Sequence, residues 1–94
     1  MKFSEKVHNL LKEKHMNMDG LAKKSGINPD RVVLYANGLV EPRIDILMNF
    51  AKAFKISVDE LVKDTEQEKI WNNKKEQLEN ETKRIKKTFK GLFN

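Results

Sequence analysis

The stretch from residue 18 to residue 37, MDGLAKKSGINPDRVVLYAN, constrains the fold of this chain more than any other. It predicts two short helices joined by a tight turn. Gly26 can adopt the left-handed conformation that ends a helix, and Ala22 is small enough to let the second helix cross close by. Asn28 is a good N-cap and Pro29 suits the first helical position. The second helix can therefore bury one face and leave the other free.

Apolar periodicity predicts further helices on both sides of this stretch. A first helix, from about residue 3 to 14, carries a buried stripe: Phe3, Val7, Leu10 and Leu11. A fourth helix, from about residue 43 to 54, carries a second stripe: Ile44, Leu47, Phe50, Ala51 and Phe54. Ser57 and Glu60 form a capping box that starts a short fifth helix. We expect an all-α domain of five helices over residues 1–63.

Residues 64–94 differ in kind, because they are mostly charged and carry few apolar residues. Apolar residues at intervals of seven predict one seam of a heptad repeat: Trp71, Leu78, Ile85 and Leu92. The alternate seam is less apolar and contains Phe89. A polar helix of this sort needs a partner to be stable. That partner is either the same tail of a second subunit, which makes a homodimer, or a groove on the chain's own globular part.

The net charge of +5 invites a nucleic-acid partner, but most of it lies in the tail. Residues 82–94 contain five basic residues and no acid, whereas residues 1–62 carry ten basic and eight acidic residues. The tail can track a phosphate backbone, lie on an anionic membrane, or be the solvated face of a dimer helix. We favour the last interpretation and expect no membrane association, because the amphipathic run is short.

The composition excludes several other classes of protein. The absence of cysteine rules out disulfides and thiolate metal sites, and the charged N-terminus is no signal peptide, so we expect a cytoplasmic protein. His8 and His15 have no acidic cluster around them and are interpreted as exposed helix residues. No glycine-rich phosphate loop or activated serine is evident. We expect no enzyme, no cofactor and no metal.

Small, apolar and turn residues recur along the chain at a characteristic spacing: Leu21-Ala22, Gly26-Ile27, Val32, Asn37-Gly38, Pro42, Ile44, Leu47, Ala51 and the closing residues 56–61. In this pattern, residues 7–62 resemble the Cro/C1-type (XRE-like) helix-turn-helix family of phage and bacterial repressors. The resemblance implies a lambda-repressor-like bundle that works as a dimer on operator DNA. It also implies that the third helix, residues 29–36, enters the major groove.

The resemblance further implies which residues contact DNA. Bases would be contacted from the start and middle of the third helix: Pro29, Asp30, Arg31, Val33 and Leu34. Phosphates would be contacted by Met18, Lys23 or Lys24, and Asn37, and Asn28 belongs to the same DNA-binding set. Several of these are unusual for the family, which often has glutamine at the position of Met18 and a basic loop after Gly38.

The chemistry of these positions leaves alternatives open. Arg31 can bind guanine bidentately, or be a solvated residue paired with Asp30. Val33 and Leu34 can meet thymine methyl groups, or pack against Leu39 and Val40 in the following loop. Asn37 can contact a phosphate or simply cap the helix.

Two hypotheses of function follow. The first is a sequence-specific, repressor-like DNA-binding regulator of transcription. The alternative is a protein-binding adaptor or anti-repressor, which would use the apolar group Val33, Leu34, Leu39 and Val40 to hold a protein partner.

Overall fold

The structure is a computed structural model and describes residues 1–77 of the chain. The described part is all-α, as predicted, with six helices. Five have these bounds: α1 Phe3–Glu13, α2 Met18–Ser25, α3 Pro29–Ala36, α4 Ile44–Phe54 and α5 Val58–Val62. The sixth, α6, begins at residue 67 and continues to residue 77. No helix in residues 1–77 has the length and apolar character needed to cross a membrane.

Helices α2, α3 and α5 begin where the local sequence predicts, because side chains satisfy free N–H groups at their starts, whereas α1 and α4 have no side-chain cap of their own. Asn17 accepts a hydrogen bond from the Gly20 N–H at 2.8 Å and so starts α2. Ser57 accepts one from the Glu60 N–H at 3.1 Å and starts α5, which is one half of the predicted capping box. The bounds of α3 agree with the predicted residues 29–36.

A single core joins the helices, and Phe50 of α4 lies at its centre, fully buried. Its ring stacks on Phe3 of α1 at a centroid distance of 6.4 Å and meets Tyr35 of α3 edge-on at 6.2 Å. The predicted stripe on α1 is buried throughout. On α4, Ile44 is only half-buried, and Ile46 lies in the core as well as the predicted residues.

The packed unit continues past the predicted boundary at residue 63. Thr65 is buried, and its hydroxyl donates to the Val62 carbonyl while accepting from the Gln67 N–H. The Glu66 carboxylate then accepts a hydrogen bond from the Phe3 N–H at 2.8 Å. An acid at the positive end of α1 stabilises that helix, which has no cap of its own. The start of α6 is therefore built into the bundle.

Trp71 of α6 lies in the core of its own domain, with only 9% of its surface exposed. Its indole N–H donates to the Asp59 carboxylate at 3.0 Å, and Lys75 binds the same oxygen at 3.1 Å. These two hydrogen bonds hold the pKa of the Asp59 carboxyl below its ordinary value, and the bond from Lys75 has the larger effect. This corrects the place given to Trp71 on a seam between subunits. The other predicted seam residues lie outside the described part: Leu78, Ile85, Phe89 and Leu92.

Candidate nucleic-acid interface

Helix α3 has one buried face that fixes it against the bundle. Val32 and Ala36 are completely buried, and Tyr35 is 4% exposed against Phe50. Ala36 is fully buried, and α3 packs against α1. The burial of three side chains on one face sets the rotation of α3, so its other face must point to solvent.

The turn between α2 and α3 sets the angle between the two helices. Gly26 ends α2 with φ of 73°, the left-handed region that costs other residues energy. A Cβ added at Gly26 would meet nothing within 4 Å, so the backbone angle, and not space, calls for glycine. Asn28 then accepts a hydrogen bond from the Asp30 N–H at 2.9 Å, and Pro29 follows in the first turn.

The outward face of α3 carries the predicted base-contacting side chains. Asp30, Val33, Leu34 and Asn37 follow one another at helical spacing, with Arg31 beside them, and all five are exposed. The exposed fractions of Val33 and Leu34 are 40% and 39%. These fractions are compatible with both alternatives, contact with thymine methyl groups and packing against Leu39 and Val40.

Arg31 has no acidic partner in residues 1–77, where the one salt bridge joins Lys75 to Asp59. The pairing of Arg31 with Asp30, considered above, is not formed. The guanidinium is free to take a bidentate acceptor from outside the chain. Lys23 and Lys24, also exposed, lie in the last turn of α2, where cations stabilise the helix end as well.

Three residues of the predicted set serve the framework as well. Met18 is half-buried and packs against the core. The side-chain oxygen of Asn28 is occupied by the Asp30 N–H, and Pro29 has no N–H to offer. Any DNA contact from Met18 has to come from its backbone N–H in the first turn of α2, since a thioether donates no hydrogen bond.

The loop that follows α3 extends the apolar part of this face. The Leu39 N–H donates to the Leu34 carbonyl at 2.9 Å, which holds the loop against the end of the helix. Leu39 is 71% exposed and Val40 43% exposed. Val33, Leu34, Leu39 and Val40 are thus all open to solvent.

Asn37 ends α3, and its side chain is held by a residue that the sequence did not indicate. Its backbone N–H donates to the Val33 carbonyl, as expected of a helix cap. Its Oδ1 lies 3.1 Å from Nε2 of His8 on α1. The spacing of α1 predicted correctly that His8 is exposed, but the contact with α3 depends on how the helices pack.

This geometry defines a class of protein: a helix-turn-helix protein whose second motif helix is held by its inner face and exposes its outer face to solvent. The sequence profile of the Cro/C1-type HTH DNA-binding domain matches residues 6–67. The chain therefore belongs to the Cro/C1-type helix-turn-helix family, whose profile describes a DNA-binding domain. The predicted resemblance to this family is confirmed.

A curated relative points the same way. The chain is 28% identical, over 64 residues, to the cryptic phage CTXphi transcriptional repressor RstR of Vibrio cholerae. The alignment covers 68% of this chain and 58% of the relative, so the chain spans less than two thirds of that protein's length. The protein-binding adaptor is not favoured by these comparisons.

Proposed function

We propose that this chain represses transcription by binding operator DNA, with α3 lying in the major groove. The observation that carries the proposal is the outer face of α3. There Arg31, which forms no salt bridge within residues 1–77, and two apolar residues are exposed on a helix whose inner face is fixed in the core. The similarity to a phage repressor supports the sign of regulation. The family supports the groove, since such domains place their second motif helix there.

Arg31 is the residue that we propose as the main reader of sequence. A guanidinium donates two parallel hydrogen bonds to guanine O6 and N7, and such a pair is worth about 1–3 kcal/mol of discrimination. Asp30, one residue earlier and exposed, accepts from cytosine N4 and is repelled by phosphates. The two side chains together favour a G·C pair near the start of α3.

Val33 and Leu34 are proposed to read thymine through its 5-methyl group. Neither side chain can form a hydrogen bond, and the methyl group is the one apolar feature of the major-groove edge. Both side chains remain exposed in the chain alone, which supports a partner that covers them. The operator should therefore carry thymines beside the guanine read by Arg31.

The phosphate contacts are proposed to come from both ends of the motif. Lys23 and Lys24 supply charge, Asn37 supplies an amide, and the first turn of α2 at Met18 supplies backbone N–H groups. Residues 1–62 have only two more basic than acidic residues. The salt dependence of binding should therefore be moderate unless the basic tail, residues 82–94, adds contacts of its own.

A homodimer is proposed because operators of this family are read by two copies related by a two-fold axis. Because Trp71 lies in the core of its own domain, the dimer contacts of the tail are proposed to come from the other seam residues: Leu78, Ile85, Phe89 and Leu92. The expected cytoplasmic location agrees with a partner that is chromosomal or phage DNA.

The experiment that tests this function is the selection of bound duplexes from a random pool at physiological salt. The proposal predicts an enriched palindrome, whose half-sites contain guanine beside thymine and whose spacing gives the dimer geometry. Lys23→Ala should weaken binding on all sequences alike and lower the salt slope by about 1. Recovery of random sequence would refute specific recognition.

Thymine reading has its own test on the selected duplex. Replacing each thymine by deoxyuridine removes the methyl group and leaves every hydrogen-bonding edge in place. Affinity should fall at one or two positions, and Val33→Ala or Leu34→Ala should remove the difference between the two duplexes. Equal binding of both duplexes by the wild-type protein would overturn the apolar reading and leave DNA binding itself intact.

A further inference from the structure

His8 and Asn37 face each other across a shallow hollow between α1 and the end of α3. The hollow is lined by Ser4, Glu5, His8, Asn9, Ala36 and Asn37. Within it, His8 Nε2 lies 3.1 Å from Asn37 Oδ1. This contact joins residues 29 positions apart, and it ties the phosphate-facing end of α3 to α1.

The chemistry of this contact fixes the direction of the hydrogen bond. An amide oxygen only accepts, so His8 Nε2 must carry the hydrogen and donate. With Oδ1 occupied, the Nδ2 group of Asn37 keeps both of its hydrogens for another partner. In residues 1–77 no hydrogen bond from Nδ2 is formed.

We propose that His8 is a positioning residue for DNA binding, which orients the amide of Asn37 so that Nδ2 donates to a phosphate oxygen. The inference rests on the proposed function above. A phosphate oxygen only accepts, so the amide is useful in one of its two orientations. An exposed asparagine that nothing holds can turn Oδ1 outward, where it would face the phosphate with a repulsive partial charge.

Glu5, on the same side of α1, explains why the phosphate belongs at the outer edge of Asn37 and not inside the hollow. Glu5 lines the hollow, and its negative charge would repel an anion that entered it. His8 therefore acts through Asn37. The expected size is that of one exposed hydrogen bond, about two- to tenfold in the dissociation constant.

Three substitutions at position 8 test this role. In His8→Gln, the amide nitrogen is four bonds from Cα, as Nε2 is in histidine, so a donor reaches the same place. In His8→Asn the donor is one bond shorter, and in His8→Ala it is absent. On the selected duplex, we expect His8→Gln to bind like the wild type, and the other two to bind about two- to tenfold more weakly.

A double-mutant cycle separates positioning from other effects. Asn37→Ala should weaken binding, and adding His8→Ala to it should cause no further loss. Unfolding midpoints, followed by the fluorescence of Trp71, should be nearly the same for all variants at the exposed position 8. If His8→Ala binds like the wild type, or adds its full effect to Asn37→Ala, positioning is overturned while DNA binding stands.

The free protein gives a readout that does not involve DNA. In ¹⁵N NMR spectra, neutral His8 should carry its hydrogen on Nε2, and the Asn37 side-chain amide signals should shift in His8→Ala. A hydrogen on Nδ1 would overturn the proposed orientation. If instead the wild-type protein binds no duplex at all, the proposed function fails, and the spectra still report whether the contact exists.

Discussion

The two faces of α3 differ in what they demand of the sequence. On the inner face, Val32, Tyr35 and Ala36 are almost completely buried, so each side chain has to fit a shape fixed by α1 and α4. On the outer face, Arg31 and Val33 are exposed to solvent in residues 1–77. The inner face determines the fold and the outer face determines the partner. Mutations at neighbouring residues of α3 should therefore change either stability or binding, depending on the face.

The largest effect on the fold should come from Phe50→Ala, because this ring contacts both Phe3 and Tyr35. Loss of a buried phenylalanine costs about 3–5 kcal/mol. That is a large share of the roughly 5–15 kcal/mol that stabilises a domain. Urea unfolding followed by Trp71 fluorescence measures it. Met48→Ala, on the exposed side of the same helix, is the matched control and should change stability by less than about 0.5 kcal/mol.

The neighbouring valines compare the two faces most sharply. Val32→Ala empties part of the core and should cost about 2 kcal/mol of unfolding free energy. Val33→Ala should stay within about 0.5 kcal/mol of the wild type, while weakening binding to thymine-containing duplexes. Urea midpoints and binding titrations on both variants check the pair. Equal destabilisation would mean that α3 is rotated from the position described.

The turn between α2 and α3 should tolerate substitution less well than its open surroundings suggest. Gly26→Ala places a Cβ on a residue with φ of 73° and should cost about 1–2 kcal/mol. Gly26→Asn should cost less, because asparagine adopts this conformation more readily. Thermal or urea unfolding measures both. A neutral Gly26→Ala would show that the turn relaxes to another backbone conformation.

The smallest effect concerns the attachment of α6 to the bundle. Because the pKa of Asp59 is lowered in the folded protein, the stabilisation it gives is complete above the unfolded carboxyl pKa of about 3.9. It is lost as the pH falls through the lower folded value. Asp59→Asn should therefore be slightly less stable than the wild type at pH 7, and the difference should shrink as the pH falls below about 3.9. A constant difference across this range would assign the effect to another group.

The sequence predicted the helices and the turn because their signals are local. Asn17, Gly26 and Asn28 act on backbone groups within three or four residues, and the buried stripes repeat at helical spacing. Neighbouring residues were therefore sufficient to predict where α3 begins and ends.

The contacts that the sequence did not reveal join distant parts of the chain. The Glu66 carboxylate caps α1 from 63 residues away, and His8 meets Asn37 only once α1 and α3 have packed. Trp71 shows a related ambiguity. An apolar residue every seven positions fits a seam between subunits and fits docking on the chain's own core equally well, and the structure places this indole in the core.

The partner of the outer face was the least predictable feature. The same apolar residues, Val33, Leu34, Leu39 and Val40, suit a protein surface or thymine methyl groups, and spacing does not distinguish the two. Membership of the Cro/C1-type family favours DNA. The structure adds that all four side chains are exposed and that Arg31 is unpaired within residues 1–77.

The central claim, that the outer face of α3 reads DNA sequence, is tested most directly by Arg31 and one base pair. The measurement compares the binding of the wild type and of Arg31→Ala to two duplexes. One is the selected duplex, and in the other the G·C pair that Arg31 is proposed to read is replaced by A·T. We predict that the wild type loses about 1–3 kcal/mol on the changed duplex and that Arg31→Ala keeps only the smaller preference that Asp30 gives. If Arg31→Ala discriminates between the two duplexes as well as the wild type does, Arg31 does not read that base pair and the claim is contradicted.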